Sequence, residues 1–412
     1  MARTVSDSDS VRRENRALLL SALRNNGPQS RTALATLTGL SNASVTAIMQ
    51  DLLAQGLVLE LTSTERTDGR LRGRPATLVG FQREAAFIAL FEIDVNKTRL
   101  SLIDYAGVLV DRLEIGIGPT TFRDTPADLF LAQRLESLQA RNPSTSGTLR
   151  RIAISVQGVL DREATGLKWS PIANLAGTPF ARTLSERTGL PVALHKRGRL
   201  LAEGVRWLDP TLLDVSVATV FVGSTVAMGI SHLGQSRGRG DDGGTEFGHM
   251  NHIPGGALCR CGSRGCIEAY AADYGVLRTA FSVPESATPA PAVPSQQYES
   301  LIQRAETGDR SATHAFNLAG RAIGYGLSRM LAMFDPTHIL IVGPGARALP
   351  LMRGEIDAAL DTSLLCRING RPELRAHHDE TEPIFKGLLM KTLADTDQLD
   401  FAVLTTRTSV AS

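Results

Sequence analysis

The chain has 412 residues, long for one compact core, so two or three domains are expected. Its 42% apolar and 21% charged residues, with a net charge of +2, are those of an ordinary soluble protein. No apolar run is long enough to span a bilayer, and MARTVSDSDSVRRENR carries acids where a secretory signal carries a basic end, so a cytoplasmic chain with no membrane partner is expected.

ENRALLLSALRNNGPQS predicts an amphipathic helix stopped by Gly27-Pro28. Ser30 stands where an N-cap belongs, opening a short helix that Gly39 closes. Ser41 then caps a third helix, NASVTAIMQDLLAQG, with Val45, Ile48, Leu52 and Leu53 as its apolar stripe. Asn42, Ser44, Thr46 and Gln50 stay polar on that helix, which suits the second helix of a helix-turn-helix entering a major groove. Two extended segments, LVLELTS and PATLVGF, flank TERTDGRLRGR and complete a winged helix. The wing tip bears Arg66, Arg70, Arg72 and Arg74, and Arg72-Gly73-Arg74-Pro75 is a compact basic finger suited to a narrow minor groove. Residues 1–80 hold ten arginines against seven acids, a local excess consistent with a phosphate backbone as partner. A three-helix protein-interaction module with a solvated basic loop is the alternative; helix spacing, polar third helix and basic wing together favour double-stranded DNA.

From Phe87 the pattern changes to three successive strands, with turns at Asn96-Lys97 and Ala106-Gly107 and a helix near 125–141. RRIAISVQGVL is a buried strand, TPFARTLSERTGLPVALH a helix leading into another strand, DVSVATVFVGSTVAMGISHLG a hairpin, and HILIVGPG a strand entering a Gly-rich turn. The alternation implies two α/β lobes with a cleft between them. The expected divisions are residues 1–82, 83–195 and 196–412, with the final helix returning to the first lobe. SVPESATPAPAVPSQQY, residues 282–298, reads by composition as a mobile surface loop.

GHMNHIPGGALCRCGSRGCIEAY places Cys259, Cys261 and Cys266 on a glycine-rich turn. Zinc favours a tetrahedron of thiolates and imidazole, and His249 can supply the fourth corner, with His252 a rival by spacing alone. Four protein ligands close such a site, so the Zn2+ is expected to be structural. A redox device and free structural cysteines are the alternatives.

GTEFGHM followed by CRCGSRGCIEAYA resembles the signature of the ROK family, which contains bacterial sugar kinases and sugar-responsive repressors. SVQGVLDREATG and SPIANLAGTPFARTL are similar to further family segments, so the likeness spans nearly the whole chain. It implies an N-terminal winged helix-turn-helix ahead of a two-lobed actin-like ATPase fold of the ribonuclease H-like kind, the arrangement of the family's repressor branch. It also assigns zinc to His249, Cys259, Cys261 and Cys266, and contacts with sugar hydroxyls to Glu246, His249 and Glu268. Without it, Glu246 and Glu268 read as solvated surface carboxylates.

Three departures from the kinase pattern stand out. The kinases carry an Asn-Asp pair whose Asp is the general base; here LPVALHKRGRLLAEG puts Lys196 and Arg197 there, and a protonated guanidinium accepts no proton. The first phosphate loop, Asp-x-Gly-Gly-Thr in the kinases, is Asp94-Val95-Asn96-Lys97-Thr98. The second runs Gly223-Ser224-Thr225-Val226-Ala227-Met228-Gly229, where side chains intrude on phosphate space. Phosphoryl transfer depends on positioning, and the positioning parts are missing. The expectation is therefore no enzyme but a DNA-binding regulator, a repressor of carbohydrate genes, acting as a homodimer or dimer of dimers on a palindromic operator. An ATP-dependent sugar kinase with an appended module is the rival. For the effector, Lys196 and Arg197 favour an acidic or phosphorylated sugar. The alternatives are control by a protein partner and a salt bridge from these residues to an acid such as Glu203.

Overall fold

The computed structural model describes residues 7–61, 77–231 and 245–400. The wing tip with Arg66, Arg70, Arg72 and Arg74 lies outside them. In the N-terminal unit, α1 (Asp7–Asn26) leads through β1 (Gln29–Ser30) to α2 (Arg31–Thr38) and α3 (Asn42–Ala54). Ser30 Oγ accepts from Ala33 N at 3.1 Å and Ser41 Oγ from Ser44 N at 3.1 Å, so each serine satisfies an otherwise orphaned amide at a helix start. Gly39, at φ 70°, closes α2 in the left-handed conformation that glycine adopts without strain. Strands β2 (Val58–Leu61) and β3 (Leu78–Phe81) pair antiparallel, with β1 on the other side of β3. The apolar stripe of α3 is Val45, Ile48, Met49 and Leu52, packed with Leu19, Leu20 and Leu23 of α1; Leu53 is only partly buried.

The next sheet begins as a meander of β4 (Phe87–Ile93), β5 (Lys97–Asp104) and β6 (Leu109–Gly116). After α4 (Thr121–Asp124) and α5 (Ala127–Arg141), β7 (Leu149–Val156) runs parallel to β4. A small hairpin, β8 (Val159–Leu160) with β9 (Leu167–Trp169), precedes α6 (Phe180–Thr188) and β10 (Val192–Lys196), giving the order β10-β7-β4-β5-β6. The chain then enters α7 (Arg197–Leu208) and a second sheet through β11 (Val217–Val222) and β12 (Val226–Ser231). Among the described residues, four helices follow: α8 (Glu268–Ala271), α9 (Asp273–Ala280), α10 (Ser295–Glu306) and α11 (Arg310–Leu331). Strand β13 (His338–Val342), α12 (Leu349–Leu360), α13 (Leu364–Asn369), β14 (Glu373–His377) and α14 (Thr381–Asp395) complete it, with order β12-β11-β13-β14. β11 is buried at every position, as a strand covered on both faces must be.

The Pro/Ala/Ser-rich stretch departs from its composition-based reading. Ser295–Tyr298 opens α10, and the loop before it is tied to the cysteine turn: Glu285 O accepts from Leu258 N at 2.8 Å, and Ala290 O from Arg260 Nη2 at 2.7 Å. Composition reports the lack of periodicity in such a stretch but not the backbone carbonyls it offers to a neighbour. The last helix packs on α7 and touches β4 and β7 of the first sheet. No helix among the described residues is long and apolar enough to cross a membrane.

Candidate functional site

The cysteine turn is shaped by two glycines. Gly262 and Gly265 sit at φ 87° and 79°, and a Cβ on Gly265 would lie 1.7 Å from Ile253 O. Gly262 N donates to Cys259 O and Cys259 N to Ser263 O, folding the sulfur-bearing residues back on one another. The ligand atoms of His249, Cys259, Cys261 and Cys266 all lie within 4.8 Å of one another. Cys259 Sγ is 3.7 Å from His249 Nδ1, and Cys261 Sγ is 3.8 Å from Cys266 Sγ. A tetrahedron with zinc–sulfur arms of about 2.3 Å has edges of about 3.8 Å, so the donor set fits that ion. His252 is outside the cluster, its ring 5.5 Å from that of Tyr270. A hydrogen bond with Cys266 and burial push the Cys259 thiol up to about 12, and burial raises Cys261. Cys259 and Cys261 therefore favour their thiol forms until a cation compensates the charge.

Of this cluster, His249 also lines a cleft of ≈ 560 Å³ measured out to its mouth. Glu246, His249, Glu268, Lys196 and Arg197 all line it, so the residues singled out for an effector converge on one space. They differ in exposure. Glu246 is 44% exposed and its Oε1 accepts from Lys196 Nζ at 2.5 Å. Glu268 is 1% exposed; its Oε2 accepts from Val226 N at 3.2 Å and its Oε1 from Tyr274 OH at 3.3 Å. The reading of Glu268 as a solvated carboxylate is therefore excluded. Burial raises the Glu268 carboxyl against the pull of His249. Trp169, on the hairpin β8–β9, meets the His249 ring edge-on, with centroids 5.1 Å apart. Sequence reasoning did not pick out Trp169, which stands in a short strand with no motif around it.

Arg197 is held by three elements. Its Nη1 lies 3.0 Å from Asp94 Oδ2 beyond the end of β4, and its Nη2 3.8 Å from Glu380 Oε1 at the start of α14. Its guanidinium carbon lies 4.9 Å from the centroid of the Phe221 ring. Asp94 is half-buried, which would raise its carboxyl, yet Arg197, with Val95 N and Gln157 Nε2 donating to it, holds it below its ordinary value. The acid partners of this cation are Asp94 and Glu380 rather than Glu203.

In both segments that the resemblance aligns with phosphate loops, backbone groups are engaged by the chain itself. Asp94 N donates to Lys97 O in a tight turn, and Lys97 Nζ reaches Glu114 at 3.7 Å. In the second, the Val226 amide is taken by the Glu268 carboxylate, and Ser224 O accepts from Arg260 Nη1 at 2.5 Å. A carboxylate on a backbone amide repels the phosphate such an amide would otherwise receive.

On α3, Asn42 and Gln50 are exposed, as are Ala43 and Ala47, which sequence reasoning passed over. Ser44 Oγ lies 2.9 Å from Ser41 Oγ, and Thr46 Oγ1 donates to Asn42 O at 2.7 Å, so both hydroxyls serve the helix itself. Arg16 Nη2 donates to Gln55 Oε1, fixing α1 against the end of α3.

Comparison with known proteins gives two family matches: the ROK family over residues 91–383, and a winged helix-turn-helix DNA-binding family over residues 12–58. The xylose repressor of Bacillus subtilis (strain 168) is 24% identical over 371 residues, covering 87% of this chain and 91% of its own. Among solved structures, a ROK family transcriptional regulator described as a homologue of the Escherichia coli Mlc protein superposes with TM-score 0.72 at 20% identity, over 96% of this chain and 99% of its own. The ROK hexokinase of Thermus thermophilus superposes with TM-score 0.57 at 21% identity, over 76% of this chain and 99% of its own.

Proposed function

The chain belongs to the ROK family, and on that premise we propose that it is a DNA-binding repressor of carbohydrate genes, released by a sugar in the cleft beside the cysteine turn. The observation that carries this reading is Arg197. The position of a catalytic base holds a guanidinium bound to Asp94 and Glu380, while a winged helix-turn-helix stands ahead of the sugar-kinase fold. A base must accept a proton, and a guanidinium in an ion pair does not.

The exposed row Asn42, Ala43, Ala47 and Gln50 supports major-groove reading by α3, with Arg70, Arg72 and Arg74 of the wing reaching the adjacent minor groove. A single winged helix covers a small interface, which favours a homodimer, or a dimer of dimers, on a palindromic operator. Zinc held by His249, Cys259, Cys261 and Cys266 acts as a structural brace, leaving no open position for chemistry. In the cleft, Glu246, His249 and Glu268 offer acceptors to sugar hydroxyls. Lys196 is paired with Glu246 and Arg197 with Asp94 and Glu380, so this pairing supports an uncharged sugar over an acidic or phosphorylated one. An anion would have to draw Lys196 away from Glu246.

The test has two arms. Full-length protein is titrated against the DNA upstream of its own gene at several salt concentrations, and salt-sensitive, sequence-selective binding is expected. An ATP-turnover assay with a sugar panel is expected to show none; robust turnover abolished by Glu246→Ala would overturn the repressor reading in favour of a kinase. A thermal-shift screen with neutral, amino, acidic and phosphorylated sugars then sorts the effector class, since binding to the native state raises the melting temperature.

A further inference from the structure

We propose that Arg24 and Arg197 are positioning residues at opposite ends of one rigid helix pair, α7 with α14, which carries the state of the cleft to the DNA-binding unit. The proposal rests on the repressor reading above.

At the cleft end, α7 begins at Arg197, which lines the effector cleft on one side and, with Asp94 and Thr381, a smaller recess on the other. Through Glu380 the same guanidinium reaches the first turn of α14. A ligand that moves Lys196 or Arg197 therefore acts on the starts of both helices together.

The two helices meet backbone to backbone. A Cβ on Gly204 of α7 would lie 1.7 Å from Pro383 O, and one on Gly387 of α14 would lie 2.0 Å from Leu200 O. Close-packed surfaces of this kind resist gradual sliding and move as a body. The pair also shares its apolar core with α1: Leu200 and Val205 of α7, Leu388 and Leu393 of α14, and Leu19 and Leu23 of α1 belong to one continuous cluster.

At the far end, just beyond α14, Asp397 receives a bidentate guanidinium from Arg24 in the last turn of α1, at 2.5 and 2.9 Å. Tyr105, in the turn after β5, donates to the same carboxylate at 2.7 Å. The Arg24 guanidinium carbon also lies 4.7 Å from the Phe81 centroid and 5.3 Å from that of Tyr105. Arg24 and Asp397 are each 5% exposed in their side chains, so Arg24 is unavailable to a DNA phosphate and its charge is committed to this joint. Glu380 and Asp397 stand about 25 Å apart at a helical rise of ~1.5 Å per residue, so the helix spans the distance from cleft to winged helix. A planar, bidentate arginine fork fixes direction as well as distance, which an ammonium cannot do.

The experiment is a double-mutant cycle on DNA affinity, measured with full-length protein and its upstream DNA and needing no ligand. Glu380→Gln loosens the cleft end without changing shape, and Arg24→Met severs the far joint while keeping an apolar stem. In the wild-type background, Glu380→Gln is expected to shift the DNA Kd at least about fivefold, the lower range of allosteric couplings. In the Arg24→Met background the same change is expected to shift Kd less than twofold. Arg197→Met is a second probe at the cleft end, and Arg24→Lys, which keeps charge but loses the fork, replaces Arg24→Met if that variant does not melt cooperatively. Independent, multiplicative effects would overturn the coupling, as would a Glu380→Gln variant that melts earlier but binds DNA unchanged. Failure of the wild-type chain to bind DNA selectively would instead remove the repressor reading on which the proposal stands.

Discussion

Replacing Gly204 by alanine sets two effects of known size against each other. In an ordinary helix interior, Gly→Ala stabilises by about 0.8–1 kcal/mol through helix propensity. Gly204 lies within α7, but the added Cβ would stand 1.7 Å from Pro383 O, 2.5 Å from Pro383 C and 2.9 Å from Pro383 Cα. All three are backbone atoms, so no side chain can swing aside, and α7 and α14 must part by roughly 1.5 Å to restore van der Waals contact. Overpacking of a filled core costs about 1–3 kcal/mol, and a forced backbone shift belongs at the upper end. The clash wins, and a net loss of about 1–2 kcal/mol is expected from chemical unfolding. Gly354 in α12 is the control, because it is exposed and a Cβ there would meet nothing within 4 Å. Gly354→Ala is expected to gain about 0.5–1 kcal/mol on the same scale. If both variants were stabilised alike, α7 and α14 would not meet backbone to backbone, and the rigid-pair argument would lose its footing.

Cys261→Ser is expected to lose the bound zinc measured by elemental analysis, and a strong chelator should lower the melting temperature of the wild type but not of the variant. Asn42→Ala and Gln50→Ala should each weaken operator binding by about 1–3 kcal/mol, as base-edge contacts do, without changing the slope of affinity against salt. Burial pushes the Asp273 carboxyl up to about 6 against the pull of Arg260, so the folded state holds this proton more tightly than the unfolded state. The associated stability is complete below about pH 4 and is lost as pH rises through about 6; Asp273→Asn should therefore exceed the wild type by about 1–3 kcal/mol at pH 7 and match it near pH 4, read by urea midpoints.

What the sequence disclosed was local chemistry. Ser30, Gly39 and Ser41 announce their helix ends because a cap acts within three or four residues, and the structure places each in that role. The cysteine turn was legible for the same reason: three sulfurs and two turn glycines lie within eight residues. The partners of Arg197 were not legible. Asp94 follows β4 and Glu380 precedes α14, and only the fold brings them to one guanidinium, whereas distance along the chain offers Glu203 as one alternative. The joint between Arg24 and Asp397 was hidden in the same way, since no spacing rule links the first helix to the last. Trp169 escaped because an aromatic residue in a three-residue strand has no signature until a ring such as that of His249 faces it.

An arginine at position 197 does more than fail to accept a proton, because it sets the electrostatics around it. Asp94 lies beside Arg197, Glu380 lies 3.8 Å away, and Glu92 is close enough to add to the field. With arginine at the centre these acids are compensated; with aspartate placed there, four carboxylates would face one another in a half-buried space. Removing the cationic partner of fully buried acids costs about 3–5 kcal/mol and less where, as here, solvent reaches them, and like charges at such distances favour one carboxyl or more keeping its proton. A protonated acid is no better a base than a guanidinium. Arg197→Asp is therefore expected to destabilise the fold and to restore no ATP turnover with any sugar, and measurable turnover in that variant would show that the remaining parts of a kinase are still in place. The guanidinium that cannot serve as a base is also the cation that ties Asp94 to the start of α14, so Arg197→Asp is expected to remove that tie without creating a working base.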